Sequence, residues 1–138
     1  MDERTLGGWR LRCDPEATRA LGGAAPAAAD ACGCPACENY VAQRGEALDT
    51  GLRADLEGLG IDPDRESELC HLGRREDGLH RYVCRFGFVG AVVGEPEEPP
   101  GEGGWRAGPR AEGVEGGGEA WLEVEVALPW RLDLGELP

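Results

Sequence analysis

Three cysteines, Cys32, Cys34 and Cys37, lie within six consecutive residues and form the most chemically distinctive segment of this sequence. Thiolates are soft ligands that select zinc, cuprous copper or iron–sulfur clusters. A structural zinc site requires only four nitrogen or sulfur ligands in a tetrahedral arrangement. The spacing therefore predicts a metal site, with zinc as the first choice of ion.

A tetrahedral site needs a fourth ligand, which the local sequence does not supply. The other cysteines and both histidines are the candidates: Cys13, Cys70, His71, His80 and Cys84. Cys13 is the preferred one, because it ends a predicted strand just before the segment that leads to the cluster. The competing interpretation of Cys13, and of Cys84, is a small hydrophobic core residue, because both share a strand face with apolar or aromatic neighbours.

The same cysteines also suit thiol chemistry. Cys34 and Cys37 have the C-x-x-C spacing of thiol oxidoreductases, at a predicted helix start with Pro35 between them, and a helix N-terminus favours a thiolate. However, the βαβ pattern that normally accompanies this motif is missing, and the additional Cys32 suits chelation better than exchange. A redox enzyme or sensor is therefore the alternative hypothesis, and incidental cysteines are the third.

No residue pair elsewhere in the sequence predicts a catalytic centre. Cys70 and His71 are adjacent in a predicted strand and should point to opposite faces. The alternating acidic residues between 62 and 68 could bind a hard cation, but a solvated acidic loop is the favoured interpretation. The glycines between 101 and 118 match no phosphate-binding fingerprint. We therefore expect a domain that binds a protein partner rather than an enzyme.

The net charge, the apolar segments and the number of cysteines limit the classes of partner and the cellular compartment that we expect. The formal net charge is −13 at pH 7, which repels phosphate groups and makes nucleic acids and anionic membranes poor partners. The residues after Met1 form no secretory signal, and no stretch approaches membrane-spanning length. Six cysteines in a reducing compartment are more often thiols or metal ligands than disulfides. We expect a cytoplasmic protein.

Hydrophobic periodicity predicts one long helix directly after the first two cysteines. Over residues 35–59 the apolar side chains recur at steps of three, four or seven and share one helix face: Val41, Leu48, Leu52, Leu56 and Leu59. Pro35 suits the first helical turn. Before this helix, residues 6–13 alternate as a strand, and residues 14–31, which are rich in Ala and Gly, are predicted to be a loop.

Later segments alternate with the two-residue period of strands. Strands are predicted over residues 68–74, over 79–93 with a bend near Gly87 or Gly90, and over 122–128, whereas the Gly-, Pro- and Glu-rich residues 95–118 are predicted to be a flexible loop. Together the elements predict an α+β fold, in which one long helix packs on one face of a mostly antiparallel sheet. A chain of this length favours a single domain over residues 1–138.

Four segments resemble, in this order, motifs of a family of uncharacterised bacterial proteins. They are CGCPACENY from residue 32, LGIDP from residue 59, FGFVG from residue 86 and VEVALPW from residue 124. The family patterns are C-x-C-x-x-C-x-N-[YF], L-G-I-D-P, F-x-F-V-G and L-P-W. Because no activity is established for this family, the resemblance implies only that the three cysteines act as a unit. The segments at 15–31 and 95–118 depart from the family pattern.

Overall fold

An antiparallel sheet with four helices forms the described part of the chain. The computed structural model describes residues 2–22, 26–98, 105–109, 119–133 and 135–138. In chain order its elements are β1 (Asp2–Leu6), β2 (Trp9–Cys13), α1 (Pro15–Gly22), α2 (Ala28–Cys32), α3 (Pro35–Ala47), α4 (Thr50–Gly58), β3 (Glu68–Arg74), β4 (His80–Gly94), β5 (Trp105–Pro109) and β6 (Glu119–Leu128). The strand order is β1-β2-β4-β6-β5, and β3 also pairs with β4. All of these pairings are antiparallel, so the predicted α+β class with an antiparallel sheet is confirmed.

The inner faces of β4 and β6 form the centre of the core. The two strands pair without interruption from His80 opposite Leu128 to Val89 opposite Glu119. Every second residue of each strand is buried over this length, as the sequence predicts for a sheet with one covered face. Tyr40 of α3 and Leu56 of α4 complete the same hydrophobic core.

The prediction of one long helix over residues 35–59 is wrong, because the chain is extended at Leu48 (φ −107°, ψ 127°) between α3 and α4. The Asp49 carboxylate caps the second helix by accepting a hydrogen bond from the Leu52 backbone N–H at 2.8 Å. An N-cap of this kind satisfies a backbone donor that a continuous helix would use internally. Leu48 is buried, whereas Val41, the first member of the predicted stripe, is exposed. Neither helix dominates the fold.

The predicted loop over residues 14–31 contains α1 and α2, so that prediction is wrong for most of its length. Asp14 caps α1 through a hydrogen bond from the Ala17 N–H to its carboxylate, at 3.0 Å. Thr18 then ties α1 to the sheet, because its hydroxyl accepts the Val89 backbone N–H at 3.0 Å. Alanine has the highest helix propensity of all residues, which favours helix formation at the alanines of α1 and α2. Residues 23–25 of the predicted loop lie outside the described residues.

Two further predictions need correction. The strand predicted over residues 6–13 begins later, as β2 at Trp9, because Gly7 and Gly8 (φ 53° and 86°) turn the chain after β1, which ends at Leu6. The loop predicted over residues 95–118 contains β5, which pairs with β6. Residues 99–104 and 110–118 of that loop lie outside the described residues. The predicted strands over 68–74, 79–93 and 122–128 are confirmed as β3, β4 and β6.

Candidate metal centre

The cysteine turn is formed between the end of α2 and the start of α3. Gly33 adopts the left-handed conformation (φ 66°) that ends α2, and its N–H donates to the Ala29 carbonyl oxygen. This conformation is accessible to glycine at little cost. Cys34 is the N-cap of α3, and Pro35 occupies the first turn, where no intrahelical N–H partner is needed. One glycine and one cap therefore turn the chain between Cys32 and Cys37.

The three sulfur atoms converge. Those of Cys32, Cys34 and Cys37 all lie within 4.8 Å of one another. Tetrahedral zinc with Zn–S bonds of about 2.3 Å separates its sulfur ligands by about 3.8 Å, so small side-chain movements suffice to bring the three atoms to bonding distance. Cys32 is exposed, Cys34 is partly exposed and Cys37 is buried. The group can hold a metal ion, and that ion would lie at the protein surface.

The turn gives its thiols unequal acidity. The Cys37 backbone N–H donates to Cys34 Sγ at 3.4 Å, and this bond, supported by the neighbouring thiols of Cys37 and Cys32, lowers the pKa of Cys34. Burial raises the pKa of Cys37, and hydrogen bonding to Cys34 adds to that effect. Of these two thiols, Cys34 is therefore the more acidic in the metal-free cluster.

A buried ion pair holds together the two helices that flank the turn. Glu66 accepts the Ala28 N–H with its backbone carbonyl and the Ala29 N–H with its Oε1 atom, both at 3.0 Å. Arg44 of α3 donates to the same Oε1 at 2.9 Å and to Asp30 of α2 at 3.1 Å. The sequence predicts a solvated loop for the acidic residues between 62 and 68, but Glu66 is only 1% exposed. Sequence reasoning missed this role because nothing in the local sequence distinguishes Glu66 from the neighbouring acidic residues.

The first turn of α3 is attached to the sheet by a second set of hydrogen bonds. Tyr82 of β4 donates from its hydroxyl to the Ala36 carbonyl oxygen at 2.9 Å, and Asn39 donates to that hydroxyl at 3.1 Å. Asn39 also donates to the Pro129 carbonyl and accepts the Arg131 N–H. Asn39 is thus a structural residue, and the cysteine turn is fixed relative to β4.

Cys13, the preferred fourth ligand, is not brought to the cluster. It is fully buried on β2, where it pairs with Gly90 of β4. Tyr82, whose hydroxyl contacts Ala36 between the cysteines, lies eight residues earlier on β4, a separation on the order of 25 Å along an extended strand. Burial raises the pKa of Cys13, as expected for a thiol that packs as a small hydrophobic residue.

The other candidate ligands also lie apart from the three-sulfur group, which includes no further cysteine, histidine or acidic residue from the described ranges. Cys84 is buried and donates to the Tyr40 hydroxyl at 3.3 Å, and burial raises its pKa to about 12. Cys70 is exposed on the outer face of β3. Its neighbour His71 points to the inner face, as the alternation of strand side chains predicts.

His71 and His80 form a separate polar group. The two rings face each other across the β3–β4 hairpin, with His71 Nε2 2.8 Å from His80 Nδ1, and His80 Nε2 lies 3.0 Å from Glu136 Oε1. Sequence reasoning considered both histidines as metal ligands and His71 also as a base beside Cys70, but it missed Glu136. The hairpin signal at Asp77 and Gly78 could have paired the histidines, but no local pattern points to a carboxylate 56 residues away.

Comparisons with known proteins do not assign this chain to a family. Searches of family models, curated proteins and solved structures found no match to the chain. The resemblance through the four sequence motifs therefore stays a prediction. No helix in the described part of the chain combines the length and the apolar character that crossing a membrane requires.

Proposed function

We propose that Cys32, Cys34 and Cys37 bind one zinc ion and that the loaded site is part of a protein-binding surface. The observation that carries this proposal is the convergence of three sulfur atoms within 4.8 Å on a short turn. Zinc accepts such a thiolate set without a preferred geometry of its own. Binding would also remove the unequal acidity of the thiols, because a coordinated thiol is deprotonated.

The missing fourth ligand supports a role in interaction. Within the described residues no fourth group joins the cluster, and Cys32 and Cys34 are accessible from solvent. An ion held by three sulfurs at the surface presents its fourth position outwards, where water or a side chain of a partner protein can bind. A partner that supplies a histidine, cysteine or carboxylate ligand would thereby gain both affinity and orientation.

The structure around the turn suits a structural rather than a mobile site. Glu66 and Arg44 link the two flanking helices, and Tyr82 fixes the start of α3. All six cysteines are free thiols, which agrees with a reducing compartment such as the cytoplasm. We include that location in the proposal.

The test is metal analysis of the untagged protein, combined with free-thiol titration before and after a chelator. We expect one zinc ion per chain, and the chelator should release three additional reactive thiols. The triple variant Cys32→Ser, Cys34→Ser, Cys37→Ser should lose the ion, whereas Cys70→Ser, which removes an exposed cysteine outside the cluster, should retain it. A triple variant that binds as much zinc as the native protein would overturn the proposal.

A thiol–disulfide exchange function is the second candidate, and the position of Cys34 favours it. The Cys34 thiolate, stabilised by the Cys37 N–H, would attack a substrate disulfide and release one substrate thiolate. The Cys37 thiol, losing its proton to solvent, would then attack the mixed disulfide and release the second thiolate. A metal-free protein that alkylates rapidly at Cys34 and forms a reversible Cys34–Cys37 disulfide would favour this function, because zinc-bound thiolates resist both reactions.

A further inference from the structure

The chain Glu136–His80–His71 has only one hydrogen-bonding arrangement when both imidazoles are neutral. A carboxylate only accepts, so His80 Nε2, at 3.0 Å from Glu136 Oε1, must carry its proton. His80 Nδ1 is then the acceptor, and His71 Nε2, at 2.8 Å, must be the donor. The remaining atom, His71 Nδ1, therefore carries an unshared lone pair.

We propose that Glu136, His80 and His71 form a proton relay, with His71 Nδ1 as the general base for a weakly acidic O–H or S–H group of a small ligand. The proton of that group moves to His71 Nδ1, and the resulting imidazolium is balanced through His80 by the Glu136 carboxylate. No oxidant or other reactant is needed for this step. The site is distinct from the cysteine cluster and does not depend on the proposed zinc.

The surroundings of the two rings fit this role. His80 is fully buried, its ring centroid 5.0 Å from that of Trp130, whereas His71 is only partly buried, with its ring 5.2 Å from that of Tyr82. The inner residue is therefore held in one orientation, while the outer one can meet a ligand. His71 Nδ1 makes no hydrogen bond with any described residue, and it is not among the buried polar atoms that lack partners.

The two ends of the relay have different electrostatic surroundings. Arg74 of β3 lies 3.3 Å from Glu136 Oε2, so a positive charge lies beside the Glu136 end of the relay. At the near end, burial and then the neighbouring His80 lower the pKa of His71. The outer imidazole is thus neutral at pH 7, which is the state that a base requires.

A metal-binding role explains the same geometry less well. A histidine ligand often donates its second N–H to a partner, but a metal needs further ligands around the free nitrogen. The described residues place no cysteine, acidic residue or additional histidine in a ligand group with His71. Proton transfer requires only the lone pair and the relay behind it, so it is the function that this arrangement supports.

The first test uses the native protein labelled with ¹⁵N at its two histidines, the only two in the chain. We expect both rings to be Nε2-protonated at pH 7, with a ¹⁵N–¹⁵N coupling across the bond from His71 Nε2 to His80 Nδ1. An Nδ1-protonated His71, or the absence of that coupling, would overturn the relay. No variant is needed, so this result does not depend on the folding of a mutant.

The second test separates a working relay from a merely structural one. Glu136→Gln keeps an acceptor for His80 but removes the charge, so the pKa of His71 should fall by about one pH unit. Its acylation by diethyl pyrocarbonate should slow several-fold at pH 7, because a less basic imidazole nitrogen is a weaker nucleophile. Glu46→Gln is the matched control, because Glu46 forms an exposed ion pair with Arg131 of the same C-terminal segment. Equal effects in the two variants, or none in Glu136→Gln, would contradict the proposal.

Discussion

The carboxylate of Glu66 and the guanidinium of Arg44 meet at 2.9 Å, with the acid fully buried and only 13% of the arginine side chain exposed. Because Glu66 also accepts two backbone N–H groups from the start of α2, this single pair joins the helix before the cysteine turn to the helix after it. The geometry of the candidate metal centre therefore depends on a contact that lies outside the cysteine motif.

Replacing Arg44 with Met should destabilise the metal-free protein, because Glu66 would remain buried without its counter-charge. Breaking one side of a buried pair costs about 3 kcal/mol of the free energy of unfolding. Urea denaturation measures this loss. Arg53→Met is the control, since Arg53 pairs with the more exposed Asp64 and should cost less than about 1 kcal/mol. Similar losses in both variants would show that the buried pair has no special role.

Gly33 and Gly45 provide a matched test of the cysteine turn. Neither glycine has an atom within 4 Å of the position where a Cβ would be added, but Gly33 alone has a positive φ, 66°. Gly33→Ala should therefore destabilise the fold by about 1 kcal/mol, and it should weaken zinc binding by displacing Cys32 from Cys34. Gly45→Ala, within α3, should stabilise it by about 1 kcal/mol. Thermal unfolding measures the change in stability, and competition with a chromogenic chelator measures the change in zinc affinity. A Gly33→Ala protein that binds zinc normally would argue against the described turn.

The break between α3 and α4 can be tested at its cap. Asp49→Ala removes the side-chain acceptor of the Leu52 N–H and should lower the free energy of unfolding by about 1 kcal/mol. Asp49→Asn, which retains a capping oxygen, should lower it by much less. If one continuous helix ran through this position, the alanine, which has the higher helix propensity, would be neutral or stabilising in the same urea experiment.

Alkaline pH should destabilise the metal-free fold through Cys84. Its ordinary pKa of 9.0 is raised to about 12 by burial beneath the helices, so above pH 9 the unfolded chain loses a proton that the folded chain retains. The unfolded state then binds fewer protons, and the free energy of unfolding falls by up to about 1.4 kcal/mol per pH unit between pH 9 and 12. Below pH 9 this thiol contributes no pH dependence.

Cys84→Ala isolates that contribution. Urea titrations between pH 8 and 10.5, in the presence of a reductant and a chelator, should show a shallower decline for the variant than for the native protein. Cys70→Ser should leave the slope unchanged, because Cys70 is exposed. Parallel declines in Cys84→Ala and the native protein would show that Cys84 ionises equally in both states.

Sequence reasoning identified the parts of this structure that depend on short-range patterns. The alternation along β4 and β6 was sufficient to predict two strands with one buried face, and the three cysteines were recognisable because their spacing is local. Residues 35–59 were misread, because an apolar spacing of seven fits a continuous helix, whereas Asp49 begins a new one. The single capping residue Asp49 therefore decides between one continuous helix and two shorter ones.

The remaining errors have a long-range origin. Glu66 meets Arg44, and Glu136 meets His80, across sequence distances that no local pattern encodes. β5 is ordered by its pairing with β6, although its own residues carry little strand signal. The fourth metal ligand was assigned to Cys13 from chain order alone, and the pairing of β2 with β4 places that residue elsewhere.

Zinc K-edge X-ray absorption on the protein as purified, without added metal, tests the central proposal most directly. We predict one zinc ion with three sulfur ligands at about 2.3 Å and one nitrogen or oxygen ligand at about 2.0–2.2 Å. That shell would match the convergence of Cys32, Cys34 and Cys37 with a fourth position open to water or a partner. A zinc shell with fewer than three sulfurs, or protein that carries no stoichiometric zinc, would contradict the account.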